Sequence, residues 1–165
     1  VSWKGLPVTS PQYQPAPPAQ GGTGETPLWA PLYGASLPQA FQRFFKKYAD
    51  FSGRASRSEY WWWYLVSFLV TIALELLALA LGGRGTFVNA DGAPTPGPLF
   101  WVPSLLILVW TFGTLVPYLS LTWRRLHDAN LPGPLFFLGF IPFVLLILTL
   151  LPSKPEGARF DRPRA

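Results

Sequence analysis

Apolar residues along this chain collect into three long runs, and Glu75 is the one charged residue inside any of them. The first run, Trp61–Leu81, has 21 residues. As a helix it rises about 31 Å, close to the ~30 Å hydrocarbon core of a bilayer. The second run, Leu99–Leu121, is also long enough to cross. Pro103 falls in its first turn, where proline is tolerated, and Pro117 lies inside, where it frees the Gly113 carbonyl and favours a kink. The third run, Leu135–Leu151, has 17 residues with Pro142 among them, the lower limit for a span. A re-entrant segment is the alternative for it. The pattern therefore predicts an all-α membrane protein with three transmembrane helices.

Shorter elements surround the runs. Residues 1–35 are rich in Pro, Gly, Gln and Ala without apolar periodicity, and read as a disordered proline-rich tail. The helical membrane domain follows over 36–160. It opens with a predicted amphipathic helix at 37–49, where Phe41, Phe44, Phe45 and Tyr48 recur at helical spacing and Arg43, Lys46 and Lys47 take the other face. That arrangement suits a helix lying in the headgroup plane, or one packed on the rest of the protein. Ser36 with Gln39, and Ser56 with Glu59, have capping-box spacing. Tyr60, Trp61, Trp62, Trp63 and Tyr64 make an aromatic belt where the first span begins. Residues 82–98 read as a turn-rich loop, and 152–165 as a polar C-terminal tail.

Composition narrows the class. Half the residues are hydrophobic and only 13% are charged, against roughly 25% in soluble domains. No cysteine is present, which excludes disulfides and thiolate chemistry, and a single histidine excludes a multi-histidine metal site. Neither a metal nor a cofactor is expected. The net charge of +5 flanks the apolar runs, so its expected partners are the bilayer and its anionic lipids, not nucleic acid. With three spans and the N-terminus inside, eight Lys and Arg residues lie inside and five outside. That asymmetry predicts a cytoplasmic N-terminus.

The candidate chemistry sits in two motifs. GRASRSEYW, residues 53–61, enters the first span, and RRLHD, residues 124–128, leaves the second. Two crossings separate them, so both lie at one face of the membrane. Arg54, Arg57, Glu59, Arg124, Arg125, His127 and Asp128 are accordingly expected in one cluster, with cross-helix pairs such as Arg57 with Asp128 or Glu59 with Arg125. Asp128 opposes the dipole at a helix C-terminus and requires a partner, for which Arg124, Arg54 and Arg57 are candidates. His127 is a candidate proton carrier. Glu75, within the first span, is a functional candidate by its position, unless it reaches water at the outer interface.

In this order and separation, the two motifs followed by a short third span resemble the YhaH-like family of small bacterial inner-membrane proteins, a domain of unknown function. The resemblance covers roughly residues 41–160. It implies a multi-pass protein of the bacterial inner membrane with no assigned activity, and it associates Arg54 and Arg57 with Arg124, Arg125, His127 and Asp128. Two departures stand out. The family's Ser-Gly-Trp-Trp-like stretch after RRLHD is replaced by Pro132, Gly133, Pro134 and Leu135, and its terminal Asn-Arg-Phe-Gly-like motif appears as Ala158, Arg159, Phe160 and Asp161.

Together these readings favour a non-enzymatic module that binds anionic headgroups or a membrane-protein partner, with a homo-oligomer also open. The alternatives are a membrane enzyme acting on a lipid phosphate through His127, and a small oligomeric transporter using Glu75.

Overall fold

The computed structural model describes residues 26–82, 87–141 and 143–161. Most of these are helical, in the elements α1 (Leu37–Lys46), α2 (Arg57–Gly82), α3 (Trp101–Asp128) and α4 (Val144–Leu150). Helices α2 and α3 are the first two apolar runs. With 26 and 28 residues they rise about 39 and 42 Å, enough to cross a bilayer. Their outer faces stay bare: Leu76, Leu79, Leu105 and Phe112 are all more than half exposed. A core helix of a soluble protein buries such residues, so these faces suit hydrocarbon.

Each end is set by local chemistry. The Ser56 amide donates to the Glu59 carboxylate at 3.1 Å and the Glu59 amide to the Ser56 hydroxyl at 3.2 Å, so the expected capping box opens α2. A 3-10 turn, Pro98–Phe100, leads into α3. The Gly113 carbonyl that Pro117 frees accepts the Tyr48 hydroxyl at 2.9 Å, which ties the chain after α1 to the middle of α3. Between the two long helices, β1 (Phe87–Val88) and β2 (Pro94–Thr95) pair as a short antiparallel hairpin within the expected loop.

The third apolar run departs from expectation. In place of one helix over 135–151, a 3-10 helix at Gly133–Phe140 is followed by the seven-residue α4, about 10 Å long. Phe143, at their junction, has left-handed backbone with φ of +65°, which a continuous helix does not permit. Pro142 lies outside the described residues. Both ends of the run sit beside the C-terminal end of α3. The Arg125 side chain there donates to the carbonyls of Thr149, at 2.9 Å, and Leu151, and the Lys154 amide donates to the Asp128 carbonyl at 2.8 Å.

The two terminal segments are corrected as well. Residues 26–35, assigned to the disordered tail, are packed: Ala35 is buried, its amide donates to Ser58 Oγ at 2.9 Å, and the Leu32 amide donates to Glu59 at 3.2 Å. The remainder of that tail, residues 1–25, lies outside the described residues. In the C-terminal tail, a 3-10 helix at Pro155–Phe160 docks on the end of α3. A side chain at Gly157 would put its Cβ 2.3 Å from the His127 carbonyl, so only glycine permits this approach.

Helix α1 ends at Lys46, three residues short of the expected boundary, and packs on α2. Phe44 is buried and stacks on Trp63 with ring centroids 3.4 Å apart. Arg43 and Lys47, assigned to a headgroup-facing side, turn inward and are buried. Phe41, Phe45 and Tyr48 keep a partly exposed aromatic edge. The reason is geometric: Glu59 lies beneath α1, and its carboxylate draws Arg43 into the protein interior.

Candidate functional site

The two motifs meet where α2 begins and α3 ends. The Ala55 amide donates to the Arg124 carbonyl at 3.0 Å, and the Gly53 amide to the Phe160 carbonyl at 3.1 Å, so backbone joins the GRASR loop to the RRLHD turn and to the C-terminal segment. Gly53 has φ of +76°, and a Cβ there would lie 2.6 Å from the Trp29 carbonyl. Glycine is required at that position on both counts.

The seven predicted residues all lie at this end, but they divide into two groups and their pairing is different. Neither Arg57–Asp128 nor Glu59–Arg125 forms. Asp128, with no exposed side-chain surface, pairs with Arg125 one turn back at 2.7 Å. It also accepts the Tyr33 hydroxyl at 2.9 Å and the Ser153 hydroxyl. Arg54 holds Asp161 at 2.6 Å through a two-pronged contact. Burial opposes its charge, yet the Asp161 carboxylate raises the Arg54 pKa above its ordinary value. Glu59 forms an ion pair with Arg43 at 2.5 Å, a close ionic contact without the alignment of a hydrogen bond. Arg43 also donates to the carbonyls of Thr26, Pro27, Leu28 and Ala30, and so clamps the segment before α1.

His127 is anchored through one ring nitrogen and one ring face. Its Nδ1 lies 3.1 Å from the Gly53 carbonyl, which can only accept, so that nitrogen carries the proton. Phe160 stacks on the imidazole with centroids 4.0 Å apart and an interplanar angle of 4°. Arg159 also lies over Phe160, with its guanidinium carbon 4.6 Å from the ring centroid.

Beneath α1 lies a second group of charges, in which the predicted Arg124 and Glu59 meet Arg43, Lys47 and Asp50, which the sequence reading had not placed in the site. Lys47 and Arg124 are almost wholly buried, and the Lys47 ammonium and Arg124 Nη2 lack hydrogen-bond partners among the described residues. Arg43, Glu59 and Asp50 act on them electrostatically. Burial first, and then the Arg124 charge, push the Lys47 pKa down from 10.5 to about 7. Burial also opposes the Asp50 charge, but hydrogen bonds from Ser52 and the nearby Lys47 hold its pKa below the ordinary value. On the other side, burial and the Asp128 carboxylate push the Tyr33 phenol up to about 12.

Arg57 is the exception among the four predicted arginines. It is exposed and has no hydrogen bond or ion pair among the described residues, although it lies near enough to Arg125 for the two charges to repel. It stands at a cleft of about 510 Å³ whose walls include Tyr33, Ser58 and Ser153 and contain no carboxylate-bearing residue. Glu75 is outside this site. It is exposed on α2, 18 residues beyond Arg57, about 27 Å along the axis.

The residues missed by sequence reasoning are Tyr33, Arg43, Lys47, Ser153, Phe160 and Asp161. Arg159-Phe160-Asp161 carried a signal, since it retains part of a family motif. Tyr33 carried none, because it lies in a stretch with the composition of a tail.

This architecture of two spans with interlocked GRASR and RRLHD motifs can now be set beside known proteins. The family model for "Protein of unknown function (DUF805)" matches residues 48–162, the stretch that contains both motifs and the docked C-terminal segment. The chain belongs to this family. Inner membrane protein YhaI of Escherichia coli K12 is 33% identical over 112 residues, covering 68% of this chain and 80% of the relative. Inner membrane protein YhaH of the same strain is 33% identical over 126 residues, covering 73% of this chain and 91% of the relative. No solved structure matches. Family membership and the two bare apolar helices make the protein a multi-pass member of a bacterial inner-membrane family. The family match begins at Tyr48, so the clamp made by Arg43 on residues 26–30 lies outside it.

Proposed function

We propose that the protein is a non-enzymatic membrane module that binds the headgroups of anionic lipids at its cytoplasmic face, with Arg57 as the contact. The observation behind this reading is the contrast among the arginines. Arg54 is neutralised by Asp161, Arg125 by Asp128, and Arg124 is buried, whereas Arg57 stands free at a hydroxyl-lined cleft. A phosphate there would take charge-assisted hydrogen bonds from the Arg57 guanidinium, whose donors are all free of other partners among the described residues. The aromatic belt begins one turn below, which sets Arg57 at headgroup depth. Arg57→Gln should reduce co-purified phosphatidylglycerol relative to phosphatidylethanolamine by roughly fivefold, the order expected for one charge near an anionic surface. Lipid mass spectrometry on protein from a mild detergent reads the ratio. An unchanged ratio in a folded variant sinks the headgroup reading.

The third apolar run is read as re-entrant, because both its ends lie beside the C-terminal end of α3. A two-span topology then puts both termini on one side, and every Lys and Arg except Arg84 shares that side. This charge distribution supports a cytoplasmic N-terminus more strongly than three spans would. Single cysteines at positions 46 and 154 should both resist a membrane-impermeant maleimide applied to the periplasmic side of intact cells. Labelling of position 154 alone would mean that the third run crosses.

A further inference from the structure

A second cavity lies deeper along the face of α2 that carries Arg57. On α2, Arg57, Tyr64, Phe68 and Thr71 follow one another at intervals of seven, four and three residues, so they share one face of the helix. Below the cleft on this face, Tyr64, Phe68 and Thr71 form one wall of a groove of about 350 Å³. Trp110, Leu115 and Tyr118 of α3 form the opposite wall. Arg57 precedes Tyr64 by seven residues, about 10 Å along the axis, so the groove starts at the depth where acyl chains begin beneath a bound phosphate. The third apolar run flanks the groove, where Phe136 packs against Tyr118 with centroids 6.5 Å apart, and Ser153, just after the run, lines the cleft.

We infer that cleft and groove form one site for a whole anionic phospholipid, with the phosphate on Arg57 and an acyl chain laid between α2 and α3. The inference rests on the headgroup reading and extends it from a charged surface to a defined lipid seat. The charges favour this occupant over a second copy of the chain. Two copies in one membrane related by a two-fold axis along the normal meet through the same face at the same depth. This face would bring Arg57 against Arg57 and, five turns further along α2, Glu75 against Glu75, like against like at both ends. A single phospholipid brings a negative charge to the first level and only hydrocarbon below it.

The test separates chain from headgroup. Thr111 lines the groove and is exposed, so Thr111→Phe fills it without disturbing the buried core, and Leu115→Trp does so from a second position. Purified full-length protein is assayed for retention of palmitoyl-oleoyl phosphatidylglycerol by native mass spectrometry, and for binding of dihexanoyl phosphatidylglycerol below its micellar concentration by calorimetry. Both groove variants should lose retention of the long-chain lipid by roughly tenfold, the scale of losing contact with about two methylenes. They should bind the short-chain lipid as the unaltered protein does, whereas Arg57→Gln weakens both. If the groove variants retain the long-chain lipid fully, the chain seat is wrong and the headgroup reading stands. If Arg57→Gln changes neither lipid, both fail. If the unaltered protein is a dimer and the groove variants are monomers with equal lipid retention, the occupant is a second copy and the inference is overturned.

Discussion

Asp128→Ala is expected to cost about 3–5 kcal/mol of stability, the range for removing one partner of a buried ion pair. The side chain has no exposed surface and holds three groups from three segments: Arg125 of α3, Tyr33 before α1, and Ser153 after the third apolar run. Its loss leaves the fully buried Arg125 guanidinium without a counter-charge. Both flanking segments lose an anchor in the same step. Thermal unfolding in detergent, followed by tryptophan fluorescence, measures the loss. The cost has a distinctive signature. Adding Arg125→Met to Asp128→Ala should recover part of the stability, because the unpaired charge goes with it. A change within about 0.5 kcal/mol, typical of surface sites, would mean that Asp128 is not the hub of this end.

Glu59→Gln should have an effect of similar order, about 3 kcal/mol, for a different reason. Glu59 is the carboxylate paired with Arg43, and its charge also favours the protonated forms of Lys47 and Arg124. Without it, Asp50 is the acid left among the groups acting on Lys47. Lys47→Met in the Glu59→Gln background should therefore restore part of the stability, since it removes a buried amine without a hydrogen-bond partner among the described residues. The same lysine makes the unaltered protein sensitive to pH. Its folded pKa, about 7, lies below its ordinary 10.5, so the unfolded chain binds more protons between these values. The stability linked to neutral Lys47 is complete above about pH 10.5 and is lost as pH falls to about 7. The thermal midpoint should thus rise from pH 7 to pH 9.5 (~2.5 units of the window) and rise less in Lys47→Met. The scan stops there because Tyr33, with its pKa pushed up to about 12, acts with the opposite sign above pH 10. Parallel slopes for the two proteins would show that Lys47 is not the titrating group.

These two clusters explain why the motif residues pair as they do. Charges at the edge of a bilayer are costly unless they are satisfied. The protein satisfies most of them inwardly, through Arg43–Glu59, Arg54–Asp161 and Arg125–Asp128. A partner three residues away on the same helix is held at short range by the helix itself, whereas a partner across the bundle needs two backbones in register. Arg125 therefore takes Asp128, and Arg57 is left free.

Some of this was determined by the sequence alone. The two spans, the capping box at Ser56 and Glu59, the free carbonyl at Gly113 and the shared location of GRASR and RRLHD all follow from period, length and parity, which are properties of the chain taken in order. The tertiary structure decided what had no periodicity to betray it. Residues 26–35 look like a tail because their order comes from Arg43 and Ser58, not from any pattern of their own. The apolar run at 135–151 reads as a span by composition, yet its backbone breaks at Phe143 and its end is drawn back to Arg125 through carbonyl hydrogen bonds that no sequence scale counts. Amphipathicity placed Arg43 and Lys47 on the polar face of α1, but whether that face meets water or a buried carboxylate depends on what lies across from it. Here Glu59 lies across from it, and only the packing of α1 on α2 could put it there.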